Sequence, residues 1–158
     1  MDSYSFIDQV NFNLSKFMIK YGFQLNKSSN QIFPGFQDNL LVFESQQCRM
    51  QIYLEHYRVY IEISALNVND LNLWYGIDAM ACFVSETLPS LWAYDLPRGI
   101  PFSQIIEQQL TRWKKILDNH FDKIVPLFDS KDRLYKIKKT LDIFVKNYYL
   151  EHRKLSSR

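Results

Sequence analysis

Hydrophobic residues near the start of the chain recur at the spacing of an α-helix. Large apolar side chains follow one another at steps of four, four, three and four, a pattern that places them on one face of a helix. They are Phe6, Val10, Leu14, Phe17 and Tyr21. We therefore predict an amphipathic helix over residues 4–21, with Ser3 as its N-cap and Gly22 as the residue that ends it.

The next patterned segments, Leu40–Glu44, Cys48–Glu55 and Arg58–Ala65, have the composition of β-strands. If the connection between the last two centres on His56 and Tyr57, they form a hairpin that sorts apolar from polar residues. The apolar pairs are Leu54–Val59, Ile52–Ile61 and Met50–Ile63, and the others are Glu55–Arg58, Tyr53–Tyr60 and Gln51–Glu62. A slip of one residue would mix the two faces, so the pattern predicts this register and an antiparallel sheet.

Helical spacing returns after the hairpin. We predict a helix from about Asn69 to Glu86, then a proline-rich loop over residues 87–102, then a long helix that begins at Ser103 and ends or bends at Pro126. A second helix carries Leu134, Ile137, Leu141, Phe144 and Tyr148 on its apolar face. These last two helices form an antiparallel hairpin on the apolar face of the sheet.

Strands followed by helices are typical of the α+β class. We expect residues 1–158 to form one α+β domain, an antiparallel sheet of about three to five strands with an N-terminal helix and a long C-terminal antiparallel helical hairpin packed on it. The 47% of apolar residues in the chain supply enough material for such a core. The other sheet face would carry tyrosines and charges, and the N-terminal helix is available to cover it.

The charge of the chain is concentrated at its C-terminal end. Residues 130–158 hold nine Lys or Arg and three Asp or Glu, a net charge of +6, against −4 for residues 1–129. A basic stripe runs along the last helix, formed by Lys138, Lys139, Lys146 and Arg153. It would suit a nucleic-acid backbone or an acidic protein, whereas the simpler interpretation is a solvated helix face.

The cysteines and the N-terminus indicate an intracellular protein. Cys48 and Cys82 lie among apolar residues and form no CxxC motif, so we expect two buried free thiols in a reducing compartment. Asp2 stands where a secretory signal has positive charge, and no apolar run approaches the length of a membrane span. We expect a cytoplasmic protein without a membrane partner.

The sequence holds none of the familiar catalytic or nucleotide-binding motifs. It has no GxGxxG, GxxxxGK[ST], HExxH or GxSxG pattern, and its four glycines are too few and too scattered for a phosphate-binding loop. The predicted fold keeps His56, His120 and His152 apart, so no histidine-rich metal site is expected. We predict no catalytic residue, no metal and no cofactor.

The remaining candidate residues are aromatic or charged side chains outside the predicted core. They are Trp92, Tyr94, Asp95 and Arg98 in the proline-rich loop, and Tyr53 and Tyr60 on the sheet. Such residue types dominate protein interfaces, so we expect an adaptor, immunity-type or regulatory domain that binds a protein partner or a second copy of itself. One alternative is a small-molecule-binding protein or enzyme with a pocket between the sheet and the helical hairpin, and another is a nucleic-acid accessory protein that uses the basic stripe.

Overall fold

A computed structural model gives the fold of the chain. It describes residues 5–26, 40–55, 57–66, 74–85, 98–128, 135, 137–143 and 146–147. In chain order its elements are α1 (Phe6–Tyr21), β1 (Gln24–Leu25), β2 (Leu40–Glu44), β3 (Cys48–Glu55), β4 (Arg58–Ala65), β5 (Tyr75–Gly76), α2 (Ile77–Ser85), α3 (Phe102–Ile124) and a 3₁₀ helix (Val125–Phe128). Residues 137–143 are also helical. Among the described helices, none is long and apolar enough to cross a membrane.

The five strands form one antiparallel sheet whose spatial order follows the chain, β1-β2-β3-β4-β5. The predicted α+β class is confirmed, with an N-terminal helix and a long helix toward the C-terminus. The predicted bounds of β2, β3 and β4 are also confirmed. The two edge strands are only two residues long, which limits the backbone that they offer to another chain.

The register of the central hairpin is the predicted one. Ile52 pairs with Ile61 on one face, and Tyr53 pairs with Tyr60 on the other. Tyr57, in the connection, has a φ of 66°, the left-handed conformation that tight hairpin turns require. The apolar face of the hairpin is the centre of the core, where Met50, Ile52, Ile61 and Ile63 are at most 1% exposed.

The N-terminal helix begins at Phe6, two residues later than predicted. Ser5, not Ser3, is the N-cap, because its hydroxyl accepts from the Asp8 amide at 3.3 Å while Asp8 accepts from the Ser5 amide at 3.2 Å. This reciprocal arrangement is a capping box. Gly22 ends the helix in the left-handed conformation, as predicted.

The helix α1 packs beside α3 on the apolar side of the sheet. Phe17 and Tyr21 contact the ring of Phe121, with centroids 4.9 and 4.5 Å apart, and the Tyr21 hydroxyl donates to Asp122 at 2.7 Å. The suggestion that α1 covers the tyrosine-bearing face is therefore wrong. Its buried residues, such as Val10 and Leu14, belong to the same hydrophobic core as Leu110 and Leu117 of α3.

Two predicted helix starts also need correction. The helix expected from Asn69 begins at Ile77, because Tyr75 and Gly76 form β5 against Ile63 and Glu62 of β4. Residues 67–73 lie outside the described part of the chain.

The helix α3 begins at Phe102 rather than Ser103, and Pro101 is its N-cap. Pro126 does end the α-helix as predicted, because it lacks the amide hydrogen that a further α-helical turn needs, and the chain continues as the 3₁₀ helix. Beyond it, Ile137 and Leu141 are buried in the same core, as expected for the second arm of the helical hairpin. Leu134, Phe144 and Tyr148 lie outside the residues that the structure describes.

Side chains of α3 complete the backbone hydrogen bonds of β4. The described part of β5 pairs with β4 at Glu62 and Ile63 and does not reach Val59. Gln109 accepts from the Val59 amide at 2.9 Å, and Trp113 donates to the Val59 carbonyl at 2.8 Å. Gln109 also donates to the Tyr57 carbonyl at 2.8 Å. The buried Gln109 therefore fixes α3 to the start of β4, where the strand would otherwise bury unpaired polar groups.

The hairpin register predicts that the same substitution lowers the stability of the fold much more on the buried face of β4 than on its exposed face. Ile61→Asn places an amide in the core and should cost about 3 kcal/mol or more of unfolding free energy. Arg58→Asn introduces the same side chain at an exposed position and should cost less than about 1 kcal/mol. Urea denaturation of the two variants measures the difference, and equal losses would contradict the assignment of the two faces.

Removing the Gln109 amide should destabilise the start of β4. Gln109→Met keeps the side-chain length but leaves the Val59 amide and the Tyr57 carbonyl unpaired, at a cost of about 1–3 kcal/mol. The control, Gln104→Met, makes the same change at an exposed position of α3 and should be nearly neutral. Hydrogen exchange should show faster exchange of the Val59 amide only in Gln109→Met, and unchanged protection would refute the role of Gln109.

Candidate interaction surface

The sheet face opposite the helices carries polar, charged and aromatic side chains, and we call it the mixed face. Because successive side chains of a strand point to opposite faces, it collects the residues that alternate with the core positions of β3 and β4. They are Arg49, Gln51, Tyr53, Glu55, Arg58, Tyr60 and Glu62. Arg58 is exposed and the other six are partly exposed, so solvent reaches this part of the face, whereas Ser64, which pairs with Arg49 on the same face, is fully buried. No described helix packs on it.

A stacked pair of tyrosines occupies the middle of the mixed face. The rings of Tyr53 and Tyr60 lie 5.1 Å apart at an interplanar angle of 17°. The Tyr53 hydroxyl donates to the Glu62 carboxylate at 3.2 Å, and the Gln51 amide donates to the same carboxylate. Burial, and next the charge of Glu62, raise the pKa of Tyr53, so this phenol stays protonated and keeps donating. The four side chains form one connected, ordered patch.

A second aromatic side chain, Trp74, lies immediately before β5. The guanidinium of Arg49 is 5.5 Å from the ring centroid of Trp74, within the range of a cation–π contact. Trp74 was not among the predicted site residues, because the expected helix from Asn69 would have included it. The sequence did offer one indication that Trp74 lies on the mixed face. It precedes the buried Tyr75, and neighbouring residues of a strand face opposite sides.

Asp78 places a carboxylate at the end of the row formed by Gln51 and Glu62. Gly76 pairs with Glu62, and a Cβ atom at Gly76 would lie 2.6 Å from Asp78 Oδ1, so the carboxylate fills the space of the missing side chain. The Ala79 amide donates to Oδ1 at 2.8 Å. Burial, with a smaller contribution from the charge of Glu62, raises the pKa of Asp78. This residue was also missed, because the fold rather than the sequence brings it to β4.

The other predicted binding residues lie in other parts of the chain or outside the described residues. Trp92, Tyr94 and Asp95 lie outside the described residues, and Arg98 is exposed just before α3. Of the basic stripe, Lys139 and Lys146 are exposed, Lys138 is partly buried, and Arg153 lies outside the described part. Among the described residues, the predicted binding residues that the structure brings together are therefore Tyr53 and Tyr60.

The thiols and the described histidine form no reactive centre. Cys48 and Cys82 are buried and free, and burial raises the pKa of Cys48 to about 11, which suppresses the reactive thiolate. His120 is partly buried on α3, while His56 and His152 lie outside the described residues. Within the described ranges, no group of three or more His, Cys, Asp or Glu could hold a metal ion.

A cavity of about 300 Å³ lies between α1 and α3. The small-molecule alternative placed its pocket between the sheet and the helical hairpin. Where α3 faces the sheet, the described side chains instead include fully buried core residues such as Ile61, Leu110 and Leu117. The cavity is lined by Asp8, Gln9, Phe12, Asn13, Ser103 and Glu107.

Comparison of the chain with protein-family models, with curated proteins and with solved structures found no match.

The raised pKa of Asp78 predicts that removing its charge stabilises the fold, by an amount that depends on pH. Asp78→Asn keeps an oxygen that can accept from the Ala79 amide. Because the folded state disfavours the ionised carboxylate, the wild type loses stability as the pH rises from the ordinary Asp value of about 3.9 through the higher folded pKa. We expect the variant to be more stable than the wild type at about pH 7, and the gain to vanish at about pH 3. Denaturant melts of both proteins at both pH values measure this, and a pH-independent difference would contradict it.

Proposed function

We propose that this chain is a non-catalytic protein-interaction domain, of an adaptor or regulatory kind, that binds its partner through the mixed face. The observation that carries the proposal is the stacked pair of Tyr53 and Tyr60 on a sheet face without a described helix. Helices cover the apolar face of the sheet, so the fold does not need these rings in its core. Partly exposed aromatic rings held in one arrangement are the usual anchors of a protein interface.

The composition of the mixed face supports a protein partner. Tyrosine, tryptophan and arginine are the residue types most enriched at the centres of interfaces, and this face holds Tyr53, Tyr60, Trp74, Arg49 and Arg58. Stacking and the hydrogen bond to Glu62 already restrict the rotamers of the tyrosine pair. Binding would then lose less side-chain entropy than it would with freely rotating rings.

The charges of the mixed face favour a protein over a nucleic acid. Two arginines are interspersed with the two glutamates, Glu55 and Glu62, so the surface presents both signs within one patch. A polyanionic backbone binds best to a patch of one sign, whereas a protein can match alternating charges. We place this interaction in the cytoplasm, because two free buried thiols suit a reducing compartment.

The test compares two tyrosines in different parts of the molecule. Affinity purification from the native host should identify a partner, and titration with the purified partner should give its Kd. Tyr60→Ala should weaken the affinity about tenfold or more, as truncation of an interface anchor does. Tyr135→Ala, which removes a 73% exposed tyrosine outside the mixed face, should leave the Kd unchanged. A thermal melt checks that both variants fold.

Two further variants test the competing surfaces. Arg98→Ala probes the start of α3, and the double variant Lys139→Glu/Lys146→Glu reverses two charges of the basic stripe. If Tyr60→Ala binds the partner as tightly as the wild type while the charge reversal abolishes binding, the mixed face is not the site and the basic stripe takes its place. Co-purified RNA or DNA that only the charge reversal removes would support the nucleic-acid alternative.

A further inference from the structure

The open part of the mixed face is the half that lies toward the β3–β4 connection. Ser64, which pairs with Arg49 near the other end of the hairpin, is fully buried, so the face is closed at that point. Three cross-strand rows remain, and each contains one residue of β3 and one of β4. They are Gln51 with Glu62, Tyr53 with Tyr60, and Glu55 with Arg58.

The two members of each row are chemically complementary. Glu55 and Arg58 carry opposite charges, and the Gln51 amide donates to the Glu62 carboxylate. The two tyrosines of the middle row stack on each other. Complementary neighbours of this kind stabilise a hairpin within one chain. The same complementarity also acts between two chains if the strands of one copy lie over the opposite strands of the other.

A two-fold axis parallel to the strands produces this arrangement. When the axis runs midway between β3 and β4, and midway between two sheets that stand face to face, β3 of one copy lies over β4 of the other. Each residue then faces the second copy of the residue with which it pairs inside its own chain. In such an isologous interface every contact occurs twice. The tyrosine pairs meet at the centre, and Glu55 and Arg58 form two opposite-charge contacts at one end.

We propose that the partner of the mixed face is a second copy of this chain, docked face to face about this axis. The inference rests on the proposed function, for which it names the partner. No charge of the three rows faces a like charge, since Arg58 meets Glu55 and Glu62 meets Gln51 of the second copy. The Gln51 amide has a second N–H group, which can donate to the carboxylate across the interface. Sheets commonly pack in this way, with their strands aligned to within about 30°.

The edges of the sheet favour docking through the face. The edge strands β1 and β5 have two residues each, which offers a second sheet few backbone groups for pairing. Beside β5, Gln109 and Trp113 of α3 already bond the Val59 backbone of β4. A second copy therefore gains more contacts on the face than at an edge. Three rows make a small interface, so we expect a dimer that dissociates on dilution.

Sedimentation velocity of the full chain, at concentrations from about 1 µM to 1 mM, measures this equilibrium. Two charge reversals test the axis. Arg58→Glu places two acidic positions opposite each other at both symmetric contacts, and Glu55→Arg places two basic positions there. Each variant alone should dimerise about tenfold or more weakly than the wild type. An equimolar mixture of the two variants should regain the dimer, because the acidic end of one variant then meets the basic end of the other.

Arg98→Glu is the matched control, since it makes the same charge change at an exposed position outside the mixed face. It should leave the dimer affinity within about twofold, because distant exposed charges are screened. A thermal melt checks that each variant folds. A wild type that stays monomeric at about 1 mM would overturn the proposal. So would variants that dimerise normally, a mixture that does not regain the dimer, or an equal loss in Arg98→Glu.

Failure of this inference is distinguishable from failure of the proposed function. If the chain does not dimerise through the mixed face while Tyr60→Ala weakens the binding of a different protein, the second copy is the wrong partner and the mixed face is still the site. If Tyr60→Ala changes neither self-association nor the binding of another protein, both proposals are wrong.

Discussion

The pairing of β3 with β4 is the constraint on which the rest of the structure depends. In this register Ile52, Ile61 and their neighbours share one face, while the tyrosines and charges share the other. A shift by one residue would bury Glu62 and expose Ile61, at a cost that no other contact in a domain of this size could offset. The hairpin therefore decides which side of the sheet the helices cover.

The helix α3 stabilises this arrangement by both packing and hydrogen bonding. Leu110 and Leu117 fill the core, and Gln109 and Trp113 satisfy the backbone of Val59 where β5 does not reach. A short edge strand is thus compatible with a bonded Val59 backbone, because a helix supplies the missing partners. The first turns of α3 also form one wall of the cavity beside α1.

The proposed interaction surface lies on the side of the sheet opposite the helices. The mixed face combines stacked tyrosines with interspersed charges, which suits a large partner surface. The raised pKa of the buried Cys48 agrees with a structural role for that thiol.

The sequence by itself determined the elements whose hydrophobic residues recur at a regular spacing. The core of α1, the strands β2 to β4, their register and the end of α3 near Pro126 followed from apolar spacing and from the chemistry of glycine and proline. It also indicated Tyr53 and Tyr60, since alternation alone removes them from the core. Only the tertiary structure decided that α1 packs beside α3, that Gly76 leaves room for Asp78, and that Gln9 and Glu107 line one cavity. These features depend on contacts between residues far apart in the chain, which local spacing does not encode.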